Sequence, residues 1–424
     1  MSHHTSREGY TQLIDRLNRF PLGAPPSKTL YQILSLLFTP KEAELVSLLP
    51  IKPFSVEVAA QNWKMTTVQA QNILDSLCSK ALLMDIEMDG KSTYALPPPM
   101  AGFFEFSLMR TGGHVDQKLI SELFHQYLNV EEDFIKALFR GETKPGRTFV
   151  NENALSSTNA LHVLDYERAS EVIQTSAYMG VGMCYCRHKK QHLGEACDAP
   201  MDICMTFGTT AHSLSKHGYS RLIDKNEGMD LLQIAREHNL VQFGENAQND
   251  VSFICNCCGC CCEALTTARR FAFLNPVETT NFLPVVDELM CNGCTKCTQA
   301  CSVEAITMVS ANDPQKPKKL KATVDKERCL GCGVCVTTCK SNALSLKSLG
   351  KRVITPVNSA HKTVMMAIER GTLQHLIFDN HALWNHRAMA AILGVILKLP
   401  PMKQIMASEQ IKSRYFGKIL ADFK

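Results

Sequence analysis

The sequence predicts an α+β chain of several domains. Three observations carry that reading. The first hundred residues combine helical apolar spacing with a hairpin signal, all but one of the 19 cysteines fall into four tight groups, and the residues after 356 return to helical spacing. A length of 424 residues accommodates roughly two to four domains, each with its own core. Hydrophobic content of 45% and charged content of 20% exclude a globally disordered chain. The formal charge of +4 argues against a dedicated nucleic-acid binder.

Residues 27–96 begin with SKTLYQILSLLF, which carries one apolar helical stripe. Thr39-Pro40-Lys41-Glu42 is a capping box with Pro at the first helical position, so a second helix starts there. Ser55 opens a short third helix. Thr66 and Gln69 form another box, followed by the apolar face Ala70, Ile73, Leu74 and Leu77. IEMDGKSTYAL then places Asp89-Gly90 at a hairpin turn. Helices followed by a hairpin wing give a winged-helix-like domain, which Pro97-Pro98-Pro99 ends as a stiff linker. Residues 100–180 read as mainly helical and carry no chemical motif. Residues 181–265 read as cysteine-rich and irregular, with one helix near Gly228 to His238. Residues 283–348 form a compact repeat unit, and residues 356–424 form a helical tail.

The start, MSHHTSREGY, has no apolar core of a secretory signal. The longest apolar stretch, Ala388 to Leu397, is too short to span a membrane and reads as a buried helix. A cytoplasmic location is therefore expected. In that compartment, clustered CxC and CxxC spacing points to metal rather than disulfides.

CNGCTKCTQACSVEAITM begins at Cys291, and CLGCGVCVTTCKSNALSL begins at Cys329. Both have the spacing CxxCxxCxxxC, and each continues with a polar-Ala-apolar step, Glu304-Ala305-Ile306 and Asn342-Ala343-Leu344. This internal repeat resembles bacterial two-cluster ferredoxins. The resemblance implies one [4Fe–4S] cluster on Cys291, Cys294, Cys297 and Cys339, and a second on Cys329, Cys332, Cys335 and Cys301. The spacing curls the backbone so that amides point at cluster sulfurs, and Gly293, Gly331 and Gly333 permit close approach. A pair of zinc sites is the competing reading, and eight cysteines in a duplicated pattern argue against it. The chain departs from the family in having Ser302 and Lys340 where Pro usually follows the fourth cysteine. An oxidised four-thiolate cubane carries about −2, so several would make the loaded protein acidic. Between the repeats, Lys316, Lys318, Lys319 and Lys321 form either a solvated loop or a docking patch for an acidic electron carrier.

Two further groups are less specific. Cys184, Cys186, Cys197 and Cys204 suffice for one metal site, and tetrathiolate ligation suits iron–sulfur or zinc. Arg187, His188, Lys189 and Lys190 stand beside them and favour thiolates. The second group is ICNCCGCCC. In an extended segment, Cys255, Cys257 and Cys261 share one face, and Cys258, Cys260 and Cys262 share the other. Cys262-Glu263-Ala264-Leu265 reads as the first turn of a helix. This loop touches two metal centres, wraps one unusual cluster, or holds one cluster and leaves two thiols for redox exchange. Two cubanes need eight of these ten cysteines, which leaves two over. His212, His217 and His238 lie between the groups and are weak ligand candidates. Arg221 and Lys225 form no catalytic constellation. The chain has no P-loop, GxGxxG or GxSxG motif, so nucleotide and triad chemistry have no support.

The winged-helix-like start, CYCR at 184–187, ICNCCGCCC at 254–262, the duplicated runs and LIFDN at 376–380 together resemble a group of ferredoxin-type 4Fe–4S binding proteins from anaerobic bacteria and archaea. The resemblance implies two [4Fe–4S] clusters, further iron–sulfur clusters in the middle region, and electron transfer. The implied partner is a redox protein, namely a ferredoxin, a flavodoxin or an oxidoreductase subunit. Two other readings stay open. One is a redox-sensing winged-helix regulator, against which stands a candidate recognition helix whose single basic residue is Lys80. The other is a reductase with its active centre at the Cys255–Cys262 loop.

Overall fold

The computed structural model describes residues 2–88, 90–113, 115–160, 163–271, 277–350 and 353–399. Asp89, expected in the hairpin turn, and the expected helical tail from 400 onward lie outside the described residues. The chain divides into two compact units. The first comprises Met1–Thr143, His212–Ser220 and the residues from Ser359 on; the second comprises Lys144–Ala211 and Arg221–Asn358.

In the first unit, helices Lys28–Leu37, Pro40–Ser47, Val56–Trp63 and Thr67–Ser79 precede an antiparallel hairpin, β1 (Met84–Met88) and β2 (Lys91–Ala95). Both capping boxes form. Thr39 and Glu42, and Thr66 and Gln69, exchange side-chain and backbone hydrogen bonds at their helix starts. A helix over Ser2–Leu17, not foreseen from the sequence, packs on Pro40–Ser47. Phe104, Phe124, Tyr127 and Phe134 form an aromatic core with ring centroids 5.0–6.3 Å apart. Helix Trp384–Leu397 contains the apolar stretch expected to be buried. It is instead largely exposed among the described residues, with Trp384 74%, Ile392 55% and Val395 66% accessible. Apolar composition alone does not identify the element that covers a helix. Among the described residues, no helix is long and apolar enough to cross a membrane.

The second unit corrects the reading of residues 181–265 as irregular. They supply most of a six-stranded antiparallel sheet of order β3-β7-β8-β5-β4-β6. Its strands are β3 (Gly146–Thr148), β4 (Met179–Met183), β5 (Asp202–Phe207), β6 (Arg221–Leu222), β7 (Val241–Glu245) and β8 (Phe253–Cys257). Register pairs Met205 with Ile254, Phe243 with Cys255, and Val241 with Cys257. Alternation therefore places Met205, Phe207 and Ile254 on one face, where they pack with Ile173 and Leu232 of helices Ala169–Thr175 and Lys225–Glu237. Cys204, Cys255 and Cys257 take the other face. The strands are short, and MGVGM carries two glycines, so they lack the β-branched alternation that marks a strand in sequence.

The duplicated runs fold as two interleaved halves. β9 (Phe282–Val286) pairs with β12 (Leu344–Ser348), and β10 (Ile306–Ser310) pairs with β11 (Leu320–Val324). Each run ends in a five-residue helix, Lys296–Ala300 or Val334–Thr338. Thr295 and Gly333 cap these helices with φ of 63° and 85°, a left-handed turn at the same place in each repeat.

The first unit also contains a charge cluster that spacing does not announce. Asp85 accepts hydrogen bonds from Ser213 Oγ at 2.6 Å and Lys216 Nζ at 2.7 Å, and its two oxygens lie 3.2 Å from His217 Nε2. Burial alone would raise the Asp85 carboxyl, but the bonds from His217, Lys216 and Ser213 outweigh it and hold the group well below the usual carboxylate range. A carboxylate whose folded-state pKa is depressed stabilises the fold above its unfolded pKa, and that contribution is lost as pH falls. Asp85→Asn is expected to destabilise the protein at neutral pH by about 1–3 kcal/mol and to flatten the acid limb of its stability. Urea unfolding from pH 7 down to pH 3 measures both effects, and an unchanged acid limb would show that this cluster contributes nothing.

Candidate metal centres

In the ferredoxin-like halves, the chain reaches across its own repeat. The amide of Asp287 donates to Ala343 O at 2.8 Å, and the amide of Asp325 donates to Ala305 O at 2.7 Å. Each aspartate also turns the chain into its run: Cys291 N donates to Asp287 O at 3.0 Å, and Cys329 N donates to Asp325 O at 3.1 Å. Sequence reading missed these two positions. The signal was present as Val-Asp placed four residues before each first cysteine, Val286-Asp287 and Val324-Asp325.

This crossing brings the fourth cysteine of each run to the other half. Cys291, Cys294, Cys297 and Cys339 line one cavity, together with Met308 and Leu344. Cys329, Cys332 and Cys335 gather with Cys301, and each of the three feels the charge of Cys301. Both groupings coincide with the two sets implied by the resemblance. Burial pushes the Cys329 thiol up to about 11 and the Cys332 thiol up to about 12. Buried thiols of this kind become thiolates when a metal cation replaces the proton. Backbone amides are aimed at the sulfurs: Ala305 N lies 3.2 Å from Cys301 Sγ, and Gly331 N lies 3.4 Å from Cys329 Sγ. For Cys339, burial is outweighed by hydrogen bonds from Ser341 and the following amides, which hold the thiol below its ordinary range. The soft thiolate sets and the apolar-walled cavity fit iron–sulfur clusters.

Gly293 and Gly331 have φ of 76° and 68°. Their tight approaches are to the backbone of neighbouring strands: a Cβ on Gly293 would stand 2.7 Å from Leu320 O, and one on Gly331 would fall on Phe282 O. The glycines thus seat each run on the strand beside it. In the intervening loop, Lys321 pairs with Glu288 at 2.7 Å, while Lys316 and Lys318 are exposed at the hairpin tip.

The other ten cysteines sort differently from the sequence grouping. Cys197 separates from Cys184, Cys186 and Cys204. Strand alternation stops at Cys257, where β8 ends and a turn begins, closed by Cys262 N donating to Cys258 O at 3.3 Å. Cys262 therefore joins Cys255 and Cys257, and Cys261 joins Cys258 and Cys260, the reverse of the assignment from an extended segment. Cys262 caps helix Glu263–Arg270, as expected.

Six thiols neighbour one another in a closed circuit, running from Cys184 to Cys186, Cys262, Cys257, Cys255, Cys204 and back to Cys184. Hydrogen bonds from neighbours pull Cys184, Cys255 and Cys262 below the usual thiol range, and the same bonds push Cys186, Cys204 and Cys257 well above it. The remaining four sulfurs, of Cys197, Cys258, Cys260 and Cys261, all lie within 4.8 Å of one another. Cys260 is exposed and Cys261 is buried.

Arg187 stands among both groups and is fully buried. Its Nη1 donates to Pro200 O at 2.8 Å and its Nη2 donates to Asn256 O at 2.7 Å, while Nε has no hydrogen-bond partner among the described residues. Burial would lower its pKa, but the charges of Cys184, Cys258, Cys204 and Cys257 outweigh burial and keep it cationic. Asn256, fixed by Gln242 and by Ile203 O, holds the strand between Cys255 and Cys257. Lys189 pairs with Glu263 in the interior and ties the CYCR helix to the helix after the loop.

The loop also meets the ferredoxin-like halves. A Cβ on Gly259 would stand 2.5 Å from Ser302 O and 2.8 Å from Ser302 Cα, so only glycine lets the turn lie against the residue following Cys301. Cys257 and Cys262 share one core with Val303, Leu330 and Val334, against which Cys301, Cys329 and Cys332 also pack.

Cys78, the cysteine outside the groups, lies with Asp85 and His217 within 4.8 Å. Burial pushes its thiol up, and Lys216 already neutralises the carboxylate, so this group reads as a buried ion pair. His217 thus serves Asp85 rather than the cysteine groups.

Residues 290–343 match a known family, the 4Fe-4S dicluster domain. No curated protein and no solved structure matches the chain. The dicluster domain and the clustered thiols support an iron–sulfur protein, and they fit iron–sulfur electron transfer.

Proposed function

We propose that the chain is an electron-transfer component of an anaerobic redox system. It carries two [4Fe–4S] clusters on the two cysteine sets of the ferredoxin-like halves and further metal on the ten middle cysteines. The observation that carries this reading is the shared core in which Cys255, Cys257 and Cys262 of the six-thiol group pack with Cys301, Cys329 and Cys332. Bound clusters supply one-electron chemistry. The chain supplies thiolates, amides aimed at sulfur, a dry apolar surround and the Gly259 contact that holds the middle loop against the second half.

The regulator reading finds little support. Helix Thr67–Ser79 contains no Lys or Arg, and Lys80 is engaged by Glu42 at 2.6 Å. Phosphate neutralisation would need free cations there.

Anaerobically purified full-length protein is expected to contain at least about 8 iron atoms with matching acid-labile sulfide per chain. Cys332→Ser should remove about 4 of these, or convert one cluster to a three-iron form, and should change the low-temperature EPR of the reduced protein. Unchanged iron and EPR would refute the assignment of Cys332 as a ligand. For the partner, the exposed Lys316 and Lys318 favour an acidic redox protein. Reversing both to Glu should slow reduction by an acidic ferredoxin or flavodoxin at low salt by about 10-fold, and the difference should shrink as salt rises. A rate independent of both charge and salt would exclude this docking surface.

A further inference from the structure

The two middle thiol groups differ in size, and size discriminates between kinds of metal centre. Cys197 Sγ lies 3.6 Å from Cys258 Sγ and 3.8 Å from Cys261 Sγ, and Cys260 Sγ lies 3.7 Å from Cys261 Sγ. A single tetrahedral ion with metal–sulfur bonds of about 2.3 Å places its four sulfurs about 3.8 Å apart. A cubane holds each thiolate on a different iron at the corners of a larger body, so its four thiolates stand clear of one another. The Cys197 group has the dimensions of one ion.

We propose that Cys197, Cys258, Cys260 and Cys261 hold a single four-coordinate metal ion of the zinc class, separate from the iron–sulfur clusters. All four positions are thiols, which gives the closed donor set of a structural site with no vacancy for substrate. The ligands come from two segments far apart in sequence: the loop after helix Tyr185–His192 supplies Cys197, and the turn after β8 supplies the other three. The ion therefore pins these segments together beside the six-thiol ring. It also fixes the turn whose Gly259 rests on Ser302. This assignment takes up these four thiols and leaves the other six as one separate group.

The proposal rests on reading the middle thiols as metal ligands, and it is independent of whether the ferredoxin-like halves are loaded. The test is metal content of anaerobically purified full-length protein, wild type against Cys197→Ser and Cys260→Ser, by elemental analysis with acid-labile sulfide and EPR. Wild type should carry about one zinc per chain, and each variant should lose it while iron, sulfide and the EPR of the reduced protein persist. Loss of about four iron atoms and their sulfide in the variants, with zinc absent throughout, would overturn the proposal in favour of a cubane. If the serine variants do not fold, cobalt exchange into folded wild type gives the second measurement. The absorption of tetrahedral cobalt tetrathiolate, without loss of iron, supports the single ion, and failure of cobalt to enter while iron is displaced contradicts it. Missing ferredoxin clusters with zinc retained would instead defeat the electron-transfer reading alone.

Discussion

Thiolates are tolerated in a protein interior only when positive charge stands beside them. Six buried or half-buried thiols, three of them on one face of a sheet, with four more a few residues away, concentrate this demand. Neighbouring thiols there oppose one another: Cys184 and Cys255 are held below the usual thiol range, and Cys186 is pushed above it. The rest of the second unit is arranged around meeting that demand. Arg187 places a buried guanidinium between the groups, and its Nε has no hydrogen-bond partner among the described residues. In the proposed reading metal ions supply the remaining charge, and a thiolate donor set of this kind suits soft metals.

The sheet makes the concentration possible. Antiparallel pairing carries Cys204 beside Cys255, and strand alternation leaves the opposite face to an ordinary apolar core under two helices. The apolar core and the strand thiols are thus divided between the two faces of one layer. The turn after β8 then changes direction, so that a run of near-continuous cysteine serves two groups. Where the turn presses on Ser302, glycine is obligatory, because a side chain would collide with backbone that cannot move aside. Through that contact Cys255, Cys257 and Cys262 lie against the same core as the second ferredoxin-like half.

What could be read from the sequence was what local spacing encodes. The duplicated CxxCxxCxxxC runs, both capping boxes and the helix opening at Cys262 all depend on residues within a few positions of one another. The six-stranded sheet was not legible, because its strands are short and interrupted by glycine and cysteine. Nor was the division of the ten thiols. Cys197 meets Cys258 across 61 positions, and that pairing comes from two loops folding together rather than from motif spacing. The exposed apolar face of helix Trp384–Leu397 and the Asp85 cluster have the same origin, since burial and charge pairing are decided by elements distant in sequence.

The most direct measurement is anomalous X-ray scattering from crystals of the anaerobically purified protein, collected across the iron and zinc absorption edges. The account predicts iron density at both ferredoxin-like sets and inside the ring of Cys184, Cys186, Cys204, Cys255, Cys257 and Cys262. It predicts one compact zinc peak among Cys197, Cys258, Cys260 and Cys261. A metal-free ring in protein whose ferredoxin-like sites are fully loaded would contradict the claim that these buried thiols are compensated by metal.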